Sequence, residues 1–354
     1  MNIYNRLRSV SALRRLWSHQ RPGLLLVGLV GLLTACGRSP AERLLADYLD
    51  ALHDAAGVES EHTVEAVTLP LYPGHRDRSL ELAEIRVGLF GMLDYRRCEM
   101  LHLISERNSI LGRVMPISQR LIYEVNFIQQ AQVCRKQLAA EQAPADASSD
   151  NSFLHRLDQV LARKREDLAA VFWNATLASP EFAKAHSLAV SPLIPSHDNG
   201  FNASLQALDY FVRLTTALTE NAIAKLEIDS AILEGHYQVL QAEQYGGRLL
   251  TSLALVTPTL QHAADVMAAL EAEAECPPRI AEPALEQAFS RYIEQVHQQG
   301  QAWLQRLEQL FQPQPAPPAM RAYYQHLLSR DHSEGLWRQF ERQRLRHAEP
   351  CSPS

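Results

Sequence analysis

No segment of this 354-residue chain alternates β-branched and polar residues, so nothing in it predicts a β-sheet. Glycine is sparse, and apolar residues recur instead at helical spacing. The common catalytic signatures are also missing: there is no nucleophile elbow, no HExxH, no phosphate-binding glycine loop and no dinucleotide fingerprint. We therefore expect an all-α protein, a multi-helix bundle or helical array with Pro-rich loops. These absences favour a non-enzymatic role.

The N-terminal region has no acidic residue before Glu42, and five arginines lie within its first 21 residues. An uncharged, mostly apolar run over 22–35 follows these arginines and ends directly before Cys36. A basic region, a short apolar run and small residues at the cut are typical of a signal peptide. We therefore predict that residues 1–35 are a signal peptide that is removed.

A cysteine in this position resembles the lipobox of bacterial lipoproteins. The resemblance implies that the thiol of Cys36 is acylated and that the lipid holds the protein on a membrane. In such lipoproteins an aspartate directly after the cysteine tends to mark inner-membrane retention. Here Gly37 follows the cysteine, so the resemblance also implies the periplasmic face of the outer membrane. Two alternatives stay open: a secretory signal with a chance cysteine, and an uncleaved anchor, although the run is shorter than the about 20 residues a span needs.

The charge of the chain limits its partners. Without residues 1–35 the chain has 319 residues, of which 29 are basic and 40 acidic, a net charge of −11. A protein this acidic is a poor nucleic-acid binder, and export argues in the same direction. We expect no nucleic acid, and instead a membrane contact through the N-terminal lipid and a protein partner in the cell envelope.

Four cysteines follow Cys36, and an even number in an oxidising compartment predicts two disulfides. Three pairings can be drawn. We favour Cys98–Cys134 and Cys276–Cys351, because each closes a loop within its own half of the chain. The alternative is four buried free thiols.

Composition divides the rest of the chain into successive regions. We predict an N-terminal helical lobe, a low-complexity loop or linker, a C-terminal helical lobe, and a Pro-rich spacer with a terminal helix. Their boundaries are 36–138, 139–152, 153–312 and 313–354.

Within the N-terminal lobe, an apolar stripe from Leu82 to Leu103 predicts one long amphipathic helix. Gly112 and Pro116 interrupt the pattern, and a second stripe runs from Leu121 to Ile128. Two helices should therefore flank a polar connection. Further along, helical patterns dominate residues 201–274. We expect breaks in them near Gly246-Gly247 and at Pro258.

The polar connection carries the best candidate site. Its polar side chains are dense and lie between two apolar helices, and Arg120 can pair with Glu124 one turn later. The candidate binding residues are Glu106, Arg107, Asn108, Ser109, Arg113, Ser118, Gln119, Arg120, Tyr123 and Glu124.

Three interpretations of this block stay open. Its charged groups can satisfy one another and fix the angle between the helices. They can form a recognition surface for a carboxylate, a phosphate-bearing headgroup or a partner loop. Glu106 or Glu124 can serve as a general acid or base only if burial raises its pKa. We predict no catalytic residue, because the triad-type residues Ser196-His197-Asp198 are neighbours in the sequence, and neighbours rarely form a triad geometry.

The same block resembles an uncharacterised family of proteobacterial lipoproteins, a domain of unknown function. The resemblance lies in Glu106-Arg107-Asn108-Ser109-x-Leu111-Gly112, then Pro116-x-Ser118-Gln119-Arg120-Leu121 and Tyr123-Glu124. It implies a lipid-anchored envelope protein and brings no assigned activity and no catalytic residues with it.

Two other segments have alternative interpretations. The glycines of Tyr245-Gly246-Gly247-Arg248 would cost roughly 2 kcal/mol in a helix interior, which indicates close helix packing or a ligand that approaches bare backbone. The basic and aromatic run over 323–347 either contacts anionic lipid or glycan, or packs its aromatic rings on the body of the protein.

From the sequence we expect a lipid-anchored periplasmic protein with an interaction or assembly role. The alternative is a binder or modifier of a small envelope ligand, a peptidoglycan fragment or lipid headgroup, through residues 106–124. The histidines are scattered, so we expect no metal site, and nothing in the sequence indicates a cofactor.

Overall fold

The structure is a computed structural model that describes residues 37–58, 64–82, 95–141, 147–219, 222–271, 280–311 and 316–348. These ranges contain helices and connections but no strand, which confirms the all-α prediction. Residues 40–354 form one compact unit; in a separate unit over 1–39, only Gly37–Ser39 are described. Within the described ranges, no helix combines the length and apolar character needed to cross a membrane.

The α-helices in chain order are α1 Pro40–Ala56, α2 His75–Arg78, α3 Leu101–Asn108, α4 Ile110–Arg113, α5 Ile117–Glu141, α6 Ala147–Ala175, α7 Pro180–Ala185, α8 Phe201–Thr219, α9 Ser230–Glu243, α10 Tyr245–Glu271, α11 Pro283–Phe311, α12 Pro318–Tyr323 and α13 Leu336–Ala348. Short 3₁₀ turns occur at Tyr95–Cys98 and Ala222–Lys225, and a π-helical turn at Tyr324–Leu328 continues α12.

Helix α10 lies at the centre of the fold, where α1, α7, α11 and α13 all pack against it. Helix α1 is held there by two polar contacts between distant parts of the chain. Nε2 of His53 lies 2.9 Å from Nε2 of His262 on α10, and the Tyr48 hydroxyl is hydrogen-bonded to His347 on α13 at 2.8 Å. The first helix of the unit is therefore joined directly to the last.

Helices α5 and α6 run antiparallel and form the most extensive helix pair of the structure. Their direction follows from two cross-contacts, Glu124 with Lys164 near one end and Arg135 with Asp158 further along. The predicted loop or linker over 139–152 is partly helical, because α5 continues to Glu141 and α6 begins at Ala147. Alanine and glutamate are strong helix formers, which favours continuation over a loop. Residues 142–146 lie outside the described part of the chain.

The expected break at Pro258 is wrong, because α10 continues through this proline. A proline cannot donate to the carbonyl four residues earlier, which here belongs to Ala254. The amide N–H of Val67, in the extended segment 64–74, donates to that carbonyl at 3.0 Å. A tertiary hydrogen bond thus replaces the missing helical one and anchors the segment to α10.

The paired glycines lie in the first turn of α10, after Gln244 ends α9 in the left-handed conformation with φ of 49°. A Cβ on Gly247 would overlap the carbonyl oxygen of Ser187, and one on Gly246 would lie 2.9 Å from the ring of His186. Both glycines are therefore in close contact with the residues that follow α7, Gly246 with His186 and Gly247 with Ser187.

The long helix predicted from Leu82 to Leu103 is not continuous. Residues 95–98 form a 3₁₀ turn, Glu99 is left-handed with φ of 57°, and α3 begins only at Leu101. The spacing of apolar residues carries no information about the backbone conformation of a polar residue such as Glu99. The break could therefore not be predicted from the apolar stripe. Residues 83–94 lie outside the described ranges.

The terminal helix α13 buries its aromatic side chains. Trp337 and Phe340 are buried, and Trp337 fits against Gly300 of α11, where a Cβ would come within 2.7 Å of the indole. Arg346 extends to Asp265 on α10 at 2.7 Å. The aromatic rings of this segment therefore pack on the body of the protein, which was one of its two interpretations.

Candidate functional site

The candidate site is a sharp bend between α3 and α5, made by the short helix α4. Ser109 is extended and caps α4: its hydroxyl accepts from the amide of Gly112 at 2.9 Å and donates to the carbonyl of Glu106 at 2.7 Å. A serine in this position stabilises a helix start, because it satisfies an amide that has no partner within the helix. The sequence Asn-Ser therefore ends one helix and begins the next.

Gly112 allows the bend to close. A Cβ at this position would overlap the backbone carbonyl oxygens of Glu106 and Arg107. The guanidinium of Arg107 donates to the carbonyl of Gly112 from the other direction. Arg107 thus serves the geometry of the bend, as the structural interpretation of the block predicted.

The bend exposes apolar side chains. Ile110, Leu111 and Val114 are 83%, 80% and 74% exposed. We call residues 109–114 the hairpin tip. The polar neighbours of these three residues are among the predicted binding residues, whereas the three apolar residues are not. Amphipathic spacing cannot identify them, because a helix of one turn has no repeat to measure.

Two hydrogen bonds attach the start of α5 to α9. The Ser118 hydroxyl donates to Oε1 of Glu234 at 2.5 Å, and Nε2 of Gln119 donates to the hydroxyl of Ser230 at 2.7 Å. Ile232, between these two α9 residues, is about half exposed. Neither α9 partner was predicted, since they lie more than 110 residues further along the chain.

The predicted pair of Arg120 and Glu124 is present, with Nε 3.8 Å from the carboxylate, but the closer partner of Glu124 is Lys164 on α6 at 2.6 Å. Glu124 is only 4% exposed, so its charge depends on these two cations. The ammonium of Lys164 also lies 5.2 Å from the ring centroid of Tyr123 and 5.1 Å from that of Phe127. Cations at this distance are attracted by the face of an aromatic ring.

Tyr123 is buried beside this charged group. Burial raises the pKa of its hydroxyl well above the usual range, and the negative charge of Glu124 adds to the effect. The side chain therefore stays neutral and does not act as a base at ordinary pH.

The ten predicted binding residues therefore differ in exposure. Ser118, Tyr123 and Glu124 are buried; Arg107, Gln119 and Arg120 are partly buried; Glu106, Asn108, Ser109 and Arg113 are exposed. Most of the buried and partly buried groups contact other parts of the chain in the ways given above. These contacts match the first interpretation of the block, in which its polar groups fix the angle between helices.

A disulfide lies at the base of the hairpin. Cys98, at the end of the 3₁₀ turn before α3, is bonded to Cys134 on α5, with their Cα atoms 5.1 Å apart. This is the pairing that the sequence favoured. The other favoured pair, Cys276–Cys351, and the lipidation site Cys36 lie outside the described residues.

His326 and His332 come closer than their sequence spacing suggests, with ring centroids 5.5 Å apart. The helical turn ends at Leu328, so the chain folds back between them. Two histidines do not make a metal site, and the described ranges contain no group of three or more His, Cys, Asp or Glu placed to hold an ion.

A family model described as "Protein of unknown function (DUF3080)" matches residues 45–351, most of the chain, and the protein belongs to that family. No curated protein and no solved structure matches the chain. The family match agrees with the resemblance to an uncharacterised domain family, while the lipid anchor and the shared motif stay predictions.

Proposed function

We propose that this protein is a lipid-anchored interaction or assembly protein of the bacterial envelope, and that it binds a protein partner through the hairpin tip. The observation that carries the proposal is the exposure of Ile110, Leu111 and Val114 within five consecutive residues. Single exposed apolar side chains are ordinary, but a contiguous group at the end of a projecting turn is typical of a contact surface.

Energetics support a binding role. Burying a side chain of this size is worth about 1.5–3 kcal/mol, so the tip offers a partner several times the free energy of a surface salt bridge. Arg113 and Glu106, both exposed, lie beside the apolar residues and supply a polar rim. An apolar centre with a polar edge is the usual arrangement of a protein–protein interface.

The tip is also held rigidly, which lowers the entropy cost of binding. The disulfide from Cys98 fixes one side of its base, and the Ser118–Glu234 hydrogen bond fixes the other. Close contact at Gly112 sets the angle. In this proposal the polar residues of the motif shape the surface, and the apolar residues make the contact.

Membrane attachment rests on the N-terminal sequence. The arginines, the apolar run over 22–35 and Cys36 support cleavage and acylation at that cysteine. We propose that the protein resides at the periplasmic face of the outer membrane, which would bring the tip within reach of envelope proteins.

The alternative, a small envelope ligand bound by residues 106–124, has less support in the geometry. Such a site needs converging polar groups in a concave, mainly apolar pocket. Here the buried carboxylate of Glu124 is paired with Lys164, and the Ser118 hydroxyl is hydrogen-bonded to Glu234. The groups most suited to hold a ligand already contact the protein.

Site-specific photocrosslinking in cells tests the proposal. A photoreactive residue replaces Leu111 in the lipidated protein, and the matched control carries it at Val133, an exposed apolar position on α5 outside the tip. We expect a discrete protein adduct from position 111 and none from position 133. An adduct to lipid or glycan alone, or no adduct from position 111, would contradict a protein partner at the tip.

A further inference from the structure

Two tryptophans in the core differ in the hydrogen bonding of the indole N–H. Trp173 and Trp303 are both almost completely buried. The indole N–H of Trp173 donates to the carbonyl of Arg78 at 2.7 Å. Within the described ranges, the indole N–H of Trp303 has no acceptor. A buried donor without a partner costs about 1–3 kcal/mol, and folded proteins contain few of them.

A buried acceptor without a partner belongs to a side chain whose ring is close to that of Trp303. His186 is 1% exposed and follows α7, with its ring centroid 6.3 Å from that of Trp303. Its Nδ1 lies 2.8 Å from the carbonyl oxygen of Phe182, so Nδ1 must carry the proton and donate. Nε2 is then a bare lone pair, and among the described residues nothing donates to it.

A third unpartnered group lies in the same aromatic cluster. The ring of Tyr72 stacks on His186 at 5.2 Å and contacts Tyr323 at 5.0 Å. The Tyr72 hydroxyl donates to the carbonyl of Leu177 at 2.6 Å, but the buried Tyr323 hydroxyl has no partner in the described part of the chain. The unpartnered groups of Trp303 and Tyr323 belong to the aromatic cluster around His186, and together with Nε2 of that histidine they point to a shared partner rather than to unrelated defects.

Gly246 borders the Nε2 edge of this ring. A Cβ there would lie 3.0 Å from Nε2 and 2.9 Å from the adjacent ring carbon. Every larger residue would therefore cover the lone pair. The glycine belongs to the Tyr-Gly-Gly-Arg segment, for which approach to bare backbone was one of the two interpretations.

The chemistry of the three groups defines what can bind. Burial lowers the pKa of His186 to about 4, so the ring is neutral. The nearby guanidinium of Arg78 donates to the carbonyls of Ala178 and Pro73. An ion would therefore lose its hydration for little compensation. A molecule that links Trp303 to His186 must accept one hydrogen bond and donate another, as a hydroxyl group does.

We propose that the protein interior binds one neutral hydroxyl-bearing molecule, a water molecule in the smallest case, which accepts from Nε1 of Trp303 and donates to Nε2 of His186. Buried waters commonly make about three such bonds to otherwise unsatisfied groups. This site lies in the core and is independent of the proposed role of the hairpin tip.

Nuclear magnetic resonance of the mature lipidated protein in detergent, labelled with ¹⁵N at tryptophan, tests the proposal. A Trp303→Phe variant assigns the indole signal. We expect an Overhauser cross-peak from the Trp303 indole proton to a long-lived water, or to carbon-bound protons of an organic hydroxyl compound if that is the occupant. The Trp173 proton, already bonded to Arg78, should show neither and serves as the internal control.

A second variant makes the result specific. His186→Phe removes the acceptor, so the cross-peak of Trp303 should disappear, while an unchanged Trp173 signal shows that the fold persists. A Trp303 indole proton without a cross-peak to water or to any ligand would overturn the proposal. So would a cross-peak that persists unchanged in the folded His186→Phe variant.

Discussion

The hairpin and the core around His186 depart from ordinary packing in opposite ways. In the hairpin, the buried polar side chains have partners within the protein, and apolar side chains are left in solvent. Around His186 the apolar surface is buried, and polar atoms of Trp303, His186 and Tyr323 have no hydrogen-bond partner among the described residues. Both departures from ordinary packing mark places where another molecule can complete the structure, a protein at the tip and a hydroxyl group in the core.

The largest expected effect concerns the base of the hairpin. A Cys98→Ser/Cys134→Ser variant opens a loop of 36 residues, which should lower the free energy of unfolding by about 4 kcal/mol on chain-entropy grounds. Chemical denaturation measures the change. An unchanged unfolding midpoint would contradict a structural role of the disulfide. A further loss on adding reductant to this variant would report a second disulfide, as predicted for Cys276 and Cys351.

The next effect concerns the charged group behind the tip. Glu124→Ala leaves Lys164 and Arg120 without their buried counter-charge and should cost about 3 kcal/mol, the lower end of the usual range because both cations retain some solvent contact. The control is Asp158→Ala, which removes the exposed partner of Arg135 and should cost less than about 1 kcal/mol. Equal losses in the two variants would show that Glu124 is not the centre of a buried network.

Acid should act on the core through His186. Its pKa in the folded protein is about 4, against about 6.5 when unfolded, so the unfolded state binds more protons between these values. The free energy of unfolding is therefore not reduced by protonation of this histidine above pH 6.5. It falls as the pH drops towards 4, by up to about 3 kcal/mol. In His186→Phe this part of the pH dependence should vanish. A variant with the same slope as the wild type would refute a buried neutral histidine.

Two glycine substitutions should have opposite signs. Gly247→Ala places a Cβ against the carbonyl of Ser187 and should destabilise the protein by about 1–3 kcal/mol through overpacking. Gly235→Ala, in α9, meets nothing within 4 Å and should stabilise it by about 0.5–1 kcal/mol through helix propensity. Thermal unfolding of the two variants measures the change in stability of each. A stabilisation of similar size in both variants would mean that glycine at 247 serves no close contact.

Local patterns predicted much of the fold. The start of α7 follows from the local sequence Ser179-Pro180, because the Ser179 side chain accepts from the amide of Phe182 and the proline occupies the first turn. The Cys98–Cys134 pair was predicted from a similarly simple feature, a loop closed within one half of the chain. Each depends on spacing within the sequence, which needs no knowledge of how the helices meet.

The remaining features depend on contacts between distant segments. Lys164 pairs with Glu124 across two helices, and Val67 compensates for Pro258 from 191 residues away, so neither could be inferred from spacing. The exposure of Leu111 was missed for a related reason. An apolar residue between two apolar helices is usually buried, and only the tight turn at Gly112 directs it into solvent.

The central claim is that the apolar residues of the hairpin tip make the functional contact without supporting the fold. Crosslinking from position 113, also exposed, should be compared in the wild type and in an Ile110→Ser/Leu111→Ser variant, together with the free energy of unfolding of each. We predict that the protein adduct is lost while stability changes by less than about 0.5 kcal/mol, because exposed side chains contribute little to it. An adduct of undiminished yield in the folded variant would contradict the account.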